Sequence, residues 1–279
     1  MSGVRVPPPA SSQGVRPDPF VVSRPVPRGS TLPVALITGA SSGLGRGLAV
    51  ALAAEGYDLA LVARRADLLE AVAADVLDRG QRAVVLPCDV SDADAALRAV
   101  RRCEEAIGPV DLLVANAGVQ QERARRLVDA AAVRRVYEIN VLGAVHFVDP
   151  VLPRMLEERR GHLVCVSSVA GYGGLPFRAA YASSKAAMTT WFESLRIELR
   201  GTGVDVTVIN PGWVRTPMTE GNFASRPFGL ELDDAVRRMT RAILERRRSF
   251  SFPLPVALAA RFGRLLPRSV YDRVLEGRR

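Results

Sequence analysis

Residues 34–45 read VALITGASSGLG, a short apolar run followed by three closely spaced glycines. Apolar runs of this length are typical of buried strands, and the glycines allow a tight turn that lets the backbone approach a ligand. A helix that starts directly after such a turn offers free N–H groups to a phosphate. The stretch therefore predicts a nucleotide pyrophosphate site, although strand-glycine-helix junctions also form for packing alone. The predicted contacts are Gly39, Ser41, Ser42, Gly43, Leu44 and Gly45.

The alternation of strand and helix continues after this turn. Amphipathic stretches of helix length follow the apolar runs, for example at 47–54 and 68–77. Parallel strands covered by helices produce this pattern, so we predict an α/β fold with one doubly wound parallel sheet flanked by helices on both faces. Ligands then bind beyond the carboxyl ends of the strands. The predicted strands are Val34–Ile37, Leu59–Ala63, Ala83–Leu86, Leu112–Ala115, Leu163–Val166 and Val204–Ile209.

The two ends of the chain differ from this body. Residues 1–31 are rich in proline and poor in apolar side chains, which predicts a disordered tail without the apolar core of a secretory signal. The arginines of this tail leave an organelle transit peptide as the alternative. Residues 253–279 form a basic amphipathic extension. No apolar run reaches the roughly 18 residues that a spanning helix needs. The three cysteines lie far apart and suggest no disulfide framework, so the expected location is the reducing cytoplasm.

The net charge of +9 is concentrated at the two ends. Residues 1–31 carry +3 and residues 246–279 carry +7, which leaves −1 for the body between them. A nearly neutral body does not provide the basic groove that nucleic acid requires, so no nucleic-acid partner is predicted. The three cysteines and two histidines lack metal-ligand spacing, so no metal site is predicted either.

Arg64 and Arg65 directly follow the second predicted strand. Domains that select NAD carry an acidic residue at this position, where it binds the ribose 2′-hydroxyl. An arginine there instead suits a 2′-phosphate, to which Ser41 or Ser42 could also donate a hydrogen bond. We therefore expect NADP(H) rather than NAD(H). The alternative is that both arginines simply face water.

Residues 39–43 also fit the GxSxG motif of serine hydrolases, in the strand-to-helix context that the motif requires. A hydrolase of that kind needs a histidine base, which usually comes late in the chain. His146 and His162 are the only histidines, and neither follows a suitable acid. Nucleotide binding is therefore the favoured interpretation of the turn.

Tyr181 and Lys185 are four residues apart in a segment with helical character, so they share one helix face. A phenol with its usual pKa of about 10 exchanges its proton poorly near neutrality. A neighbouring ammonium that lowered this pKa by roughly 3 units would suit proton transfer to a carbonyl oxygen. Lys185 is also the only lysine in the chain. The pair predicts an oxidoreductase that interconverts a carbonyl and an alcohol.

Two further polar residues fit this chemistry. Ser168 lies just past a predicted strand, where its hydroxyl could polarise a carbonyl, whereas the adjacent Ser167 would point the other way. Asn140 stands in the apolar stretch 136–148, which suits a cap, a kink or a buried water. We expect Asn140 to anchor a water beside Lys185.

Together these residues resemble the short-chain dehydrogenase/reductase family over residues 32 to about 220. The resemblance implies a Rossmann-type catalytic domain at 32–252 and an NADP(H)-dependent oxidoreductase that forms a homodimer or homotetramer. A nucleotide-sensing or scaffold protein that keeps the fold is the alternative. The implied catalytic residues are Asn140, Ser168, Tyr181 and Lys185.

The resemblance also implies further cofactor contacts. Asp89 would contact the adenine, and Asn116 and Gly118 would shape the floor near the nicotinamide ribose. Ala115 replaces the first asparagine of the family's usual Asn-Asn-Ala-Gly, a mild departure. Tyr181 and Lys185 would also touch the cofactor, as would Val90, Ala117, Pro211, Gly212, Val214 and Thr216.

The remaining expectations concern the substrate side. Apolar residues in two loops suggest an apolar ketone, aldehyde or alcohol, although packing within the loops explains them almost as well. The C-terminal extension is expected to cover the cleft or a subunit interface, with an anionic membrane as the alternative. Ser91, with Asp94 three residues later, predicts a helix cap. The apolar loop residues are Tyr172, Leu175, Phe177, Trp213, Met218 and Phe223.

Overall fold

The computed structural model describes residues 21–22, 32–120, 128–220, 228–263 and 265–276. Its strands are β1 Val21–Val22, β2 Val34–Thr38, β3 Asp58–Ala63, β4 Ala83–Pro87, β5 Val110–Ala115, β6 Gly161–Val166, β7 Val204–Pro211 and β8 Ser249–Phe252. They form one eight-stranded sheet in the order β1-β4-β3-β2-β5-β6-β7-β8. β2 to β8 run parallel, and β1 pairs antiparallel with β4.

Helices cover both faces of the sheet. They are α1 Gly43–Ala54, α2 Ala66–Leu77, α3 Ala93–Ala106, α4 Ala130–Tyr137, α5 Gly143–Glu157, α6 Ala179–Glu198, α7 Leu232–Leu244, α8 Leu254–Gly263 and α9 Arg268–Glu276. A π-helical turn at Glu138–Leu142 and a 3-10 turn at Val169–Tyr172 complete the described helical segments. No helix in the described ranges is long and apolar enough to cross a membrane.

Two buried cores lie on opposite faces of the sheet. Leu36 of β2 packs in the core with α3, α5 and α6, whereas its neighbour Ile37 packs in the core with α1, α2 and α7. Alternate residues of a strand point to opposite faces, so a strand buried on both faces must be apolar throughout. This arrangement confirms the predicted doubly wound parallel sheet.

The order of the strands positions the site. The chain runs from β2 outward through β3 and β4, and then returns to β5 on the other side of β2. This reversal opens a crevice at the carboxyl ends of β2 and β5, where ligands bind in such sheets.

All six predicted strands are present, but two strands were not predicted. β8 reads Ser-Phe-Ser-Phe, an alternation that lacks the continuous apolar run used to identify the others. β1 lies within the predicted disordered tail, so that prediction is wrong for Val21–Val22. The rest of residues 1–31 lies outside the described residues.

The cap of α3 differs from the prediction by one residue. The Asp92 carboxylate, not Ser91, accepts a hydrogen bond from the Ala95 N–H at 2.9 Å. The Ser91 hydroxyl instead donates to Asp89 Oδ1 at 2.7 Å. A capping side chain must lie two or three residues before a free helix N–H, and α3 begins one residue too late for Ser91.

His162 makes folding sensitive to acid. Its Nε2 lies 2.8 Å from Thr207 Oγ1, and burial lowers its pKa from 6.5 to about 4, helped by the charge of Arg246. Between these pH values His162 is protonated in the unfolded chain but neutral in the folded protein. The free energy of unfolding therefore falls as the pH decreases through this window. The slope should reach about 1.4 kcal/mol per pH unit.

Urea unfolding at a series of pH values tests this expectation. We expect His162→Gln to lose this part of the pH dependence while retaining the rest. An identical slope in the wild type and the variant would contradict the prediction.

Candidate active site

The turn after β2 is shaped by glycine. Gly39 has φ of +70°, a left-handed conformation that favours glycine. A Cβ on Gly45 would lie 2.2 Å from the Gly39 carbonyl oxygen and 2.6 Å from Asn116 Nδ2. Ser42 precedes α1 but makes no side-chain cap hydrogen bond to it. The first-turn N–H groups of α1 therefore suit an anion.

Arg65 reaches back from the end of β3 to this turn. Its Nη2 donates to Ser41 Oγ at 2.9 Å and to Ser42 Oγ at 3.1 Å. Arg64 lies beside it and is exposed. The turn and the two arginines thus form one positively charged patch.

Asp89 provides the negative charge opposite this patch. Burial raises the pKa of its carboxyl, but hydrogen bonds from Ser91 and the charge of Arg64 outweigh burial, so the net pKa is lowered. Among the described residues that line the cleft, Asp89 is the only acid, whereas Arg64, Arg65 and Lys185 are all basic. The cleft therefore favours an anionic ligand.

Thr38 joins the ends of β2 and β5. Its Oγ1 accepts hydrogen bonds from the backbone N–H groups of Asn116 and Ala117, each at 3.0 Å. In return, Asn116 Nδ2 donates to the Thr38 carbonyl oxygen at 2.9 Å. Thr38 was not among the predicted contacts, although its position at the end of a predicted strand could have identified it.

These elements enclose a cleft of about 260 Å³. Its walls include Met218, which was predicted on the substrate side, and residues that the sequence did not single out for the site, namely Ala63, Cys88, Val119, Ile139, Val166, Ser167 and Pro217. Most of them directly adjoin a predicted site residue, so the immediate neighbours of the predicted positions would have included them. The predicted residues that line the cleft are Gly39, Ser41, Ser42, Gly43, Leu44, Gly45, Arg64, Arg65, Asp89, Val90, Asn116, Ala117, Gly118, Tyr181, Lys185 and Thr216.

Five predicted residues are not among those that line the cleft. The Pro211 carbonyl accepts a hydrogen bond from the Ser168 hydroxyl at 3.4 Å, and the Gly212 N–H donates to the Phe252 carbonyl at 2.7 Å. Val214 forms an isolated β-bridge with Leu230. Their roles in cofactor binding stay predictions. The other two residues, Asn140 and Ser168, act on the groups that do line the cleft.

Asn140 lies in the π-helical turn and is fully buried. Its Oδ1 accepts from the Val119 N–H at 2.8 Å, and its Nδ2 donates to the Val119 carbonyl at 3.1 Å and to Ser184 Oγ at 3.0 Å. The residue therefore lies in an irregular turn between α4 and α5 and ties the loop after β5 to α6. A water anchored beside Lys185 stays a prediction.

Tyr181 and Ser168 come together at the carboxyl end of β6. Burial raises the pKa of Tyr181, while a hydrogen bond with Ser168 and the charge of Arg178 oppose that rise. The adjacent Ser167 hydroxyl is engaged elsewhere, since it donates to the Lys185 carbonyl at 2.8 Å. Ser168 is thus the serine positioned to act with Tyr181.

Lys185 was expected to pair with the Tyr181 phenol, but its ammonium hydrogen-bonds a backbone carbonyl. Its Nζ donates to the Val166 carbonyl at 2.8 Å, and burial lowers its pKa to about 8. The predicted lowering of the Tyr181 pKa by Lys185 is wrong for this structure, because burial dominates and the net pKa is raised. A buried phenol that keeps its proton near neutrality remains suited to donate it to a carbonyl oxygen.

Neither histidine supports hydrolysis. His146 Nδ1 lies 2.9 Å from the Val90 carbonyl, and His162 is bonded to Thr207. Ser41 accepts from Arg65 and does not face an imidazole. Within the described residues, no three metal-binding side chains come together.

The glycine turn, the arginine patch and the Tyr181–Lys185 pair therefore share one cleft. Residues 33–227, more than two thirds of the chain, match the sequence model for short chain dehydrogenase. The chain belongs to the short-chain dehydrogenase family. As a member of this family it is an oxidoreductase that uses a nicotinamide cofactor and a small-molecule substrate.

Three known members illustrate the likeness. An uncharacterized oxidoreductase of Myxococcus xanthus is 43% identical over 85% of this chain and 94% of its own length. The ketoacyl reductase HetN of Nostoc is 34% identical over 69% of this chain and 67% of its own length. A family member from Burkholderia phymatum, solved in complex with NAD, is 27% identical with a TM-score of 0.75, covering 82% of this chain and 92% of that chain.

Proposed function

We propose that this short-chain dehydrogenase interconverts a carbonyl and an alcohol on an apolar small molecule and prefers NADP(H). The observation that carries the proposal is the shared cleft, which has Arg64 and Arg65 near the phosphate turn and Tyr181 with Lys185 among its other lining residues. A Cβ on Gly39 would clash with Ala117, and one on Gly45 with the Gly39 carbonyl, so the tight turn at the phosphate end of the cleft requires glycine at both positions. These features fit an anionic dinucleotide.

Each catalytic residue then has a defined task. Tyr181 holds the proton that a carbonyl oxygen takes up, or removes it from an alcohol in the reverse direction. Ser168, which lowers the pKa of the phenol against the effect of burial, would polarise the substrate carbonyl beside it. Lys185 supplies a buried positive charge below pH of about 8. The bound nicotinamide supplies or accepts the hydride.

The preference for NADP(H) rests on the end of β3. Arg64 and Arg65 stand where an acid would bind a ribose 2′-hydroxyl, and Arg65 already organises Ser41 and Ser42. The Burkholderia relative solved with NAD shares only 27% of its residues with this chain, so it leaves this preference open.

Replacing both arginines tests the preference. We expect Arg64→Gln/Arg65→Gln to lower kcat/KM for NADPH by about 10- to 100-fold, because charge-assisted hydrogen bonds to the 2′-phosphate are lost. The value for NADH should change little. Arg200→Gln, an exposed arginine at the far end of α6, serves as the control. A wild-type enzyme that prefers NADH would overturn the assignment.

The proposed apolar substrate rests on side chains near the cleft. Met218 lines the cleft and is half exposed, and Phe177 is exposed between Ser168 and Tyr181. Phe223 lies outside the described residues. The name of the Nostoc relative, a ketoacyl reductase, is consistent with a ketone as substrate. NADPH oxidation with a panel of aldehydes and ketones tests the reaction class, and a scaffold protein would oxidise NADPH with none of them.

A further inference from the structure

The two C-terminal helices expose apolar stripes. On α8, Leu254, Leu258 and Phe262 recur every four residues and are 64%, 41% and 61% exposed. On α9, Val270 and Val274 are also four residues apart and are 41% and 55% exposed. Residues with this spacing lie on one helix face, and a surface helix normally turns its apolar face inward. We name these five residues the C-terminal apolar face.

This concentration is unusual within the molecule. Seven of the fifteen exposed large apolar side chains in the described ranges lie between residues 254 and 274. Exposed apolar side chains concentrated in one segment of a protein surface point to interaction with another molecule or a membrane.

The inner sides of the same helices already pack against the protein. Ala257 is buried, and the Arg261 guanidinium lies 5.2 Å from the centre of the Tyr172 ring. Tyr271 Oη donates to the Gly174 carbonyl at 2.9 Å. Both helices therefore contact the segment 169–174, which lies between Ser168 and Tyr181 in the chain, while the residues of the C-terminal apolar face stay exposed.

The charge of this segment points to one kind of occupant. Residues 254–279 contain six arginines and two acidic residues, a net charge of +4. Arg261 is exposed and directly precedes Phe262. A net positive charge on amphipathic helices suits an anionic lipid surface, and arginine beside exposed apolar side chains fits the boundary between headgroups and acyl chains.

We propose that the C-terminal apolar face docks on the surface of an anionic lipid bilayer, with α8 and α9 lying in the plane of the headgroups. Because these helices contact segment 169–174, docking brings the substrate side of the cleft close to the bilayer. An apolar substrate that partitions into lipid would then reach the cleft without crossing bulk water. The docking itself does not depend on the proposed reaction.

Vesicle flotation of the full chain tests the proposal. We expect binding to phosphatidylcholine vesicles that contain phosphatidylserine to exceed binding to pure phosphatidylcholine vesicles by on the order of 10-fold, and to weaken with added salt. Leu258→Gln/Phe262→Gln should lower the partition coefficient by on the order of 100-fold, because two apolar side chains no longer enter the acyl region.

The matched control is Ile197→Gln/Leu244→Gln, which changes two exposed apolar residues outside the segment and should bind like the wild type. Circular dichroism and Tm show whether each variant is folded. The proposal is overturned if the wild type binds neither kind of vesicle, or binds both equally. It is also overturned if folded Leu258→Gln/Phe262→Gln binds vesicles like the wild type, or if the variant differs from the wild type only in being a monomer instead of a dimer.

Discussion

Replacing Tyr181 with Phe is expected to lower kcat for carbonyl reduction by about 10³-fold, within the range that a positioned general acid contributes. The variant removes one oxygen atom, so the ring can keep its place on α6. Ser168 and Lys185 would remain in position, but no side chain would hold the proton for the substrate oxygen. Stopped-flow measurement of NADPH oxidation reports the rate of carbonyl reduction directly.

Cofactor binding separates loss of chemistry from loss of structure. Tyr181→Phe should bind NADPH with nearly the wild-type Kd, measured by the change in nicotinamide fluorescence. Tyr57→Phe, which changes a tyrosine just before β3 and outside the cleft lining, should retain full turnover. Turnover by Tyr181→Phe at the wild-type rate would refute the role assigned to the phenol.

Replacing Asp58 with Ala is expected to lower the free energy of unfolding by about 3–5 kcal/mol. Asp58 is fully buried at the start of β3, and its Oδ1 accepts from the Arg82 N–H at 2.7 Å. Its Oδ2 accepts from Arg82 Nε at 2.8 Å, while Arg82 Nη2 also donates to the Ile107 carbonyl at 2.9 Å. Removing the carboxylate leaves a largely buried guanidinium without its counter-charge.

An exposed ion pair provides the comparison. Arg46 and Asp75 are separated by 2.9 Å, but their side chains are 54% and 37% exposed. Asp75→Ala should therefore cost less than about 1 kcal/mol. Urea unfolding at constant pH, with equal m values, measures both effects. A cost for Asp58→Ala as small as that for Asp75→Ala would contradict the importance given to burial.

Residue-level prediction was most successful where one stretch of chain determines the outcome. The turn at Gly39 and Gly45 was predictable because the need for a missing Cβ is local, and the shared helix face of Tyr181 and Lys185 follows from helical spacing alone. Ser91 was assigned as a cap one residue too early, because the start of α3 depends on the geometry of the preceding turn.

Other features needed the assembled structure. The sequence could not show that Lys185 Nζ would bond the Val166 carbonyl, or that burial would raise the pKa of Tyr181. Both results depend on elements that pack around α6 from distant parts of the chain. The alternating pattern of β8 likewise became recognisable as a strand only beside β7.

The amino-acid sequence by itself determined the doubly wound sheet and the residue types available at the carboxyl ends of its strands, because burial on both faces imposes a local apolar pattern. The tertiary structure alone decided how those residues meet. Arg65 reaches Ser41 and Asp58 finds Arg82, each pair 24 residues apart in the chain. It also decided that α8 and α9 turn apolar stripes outward, since a helix pattern shows which residues share a face but not which face the rest of the protein covers.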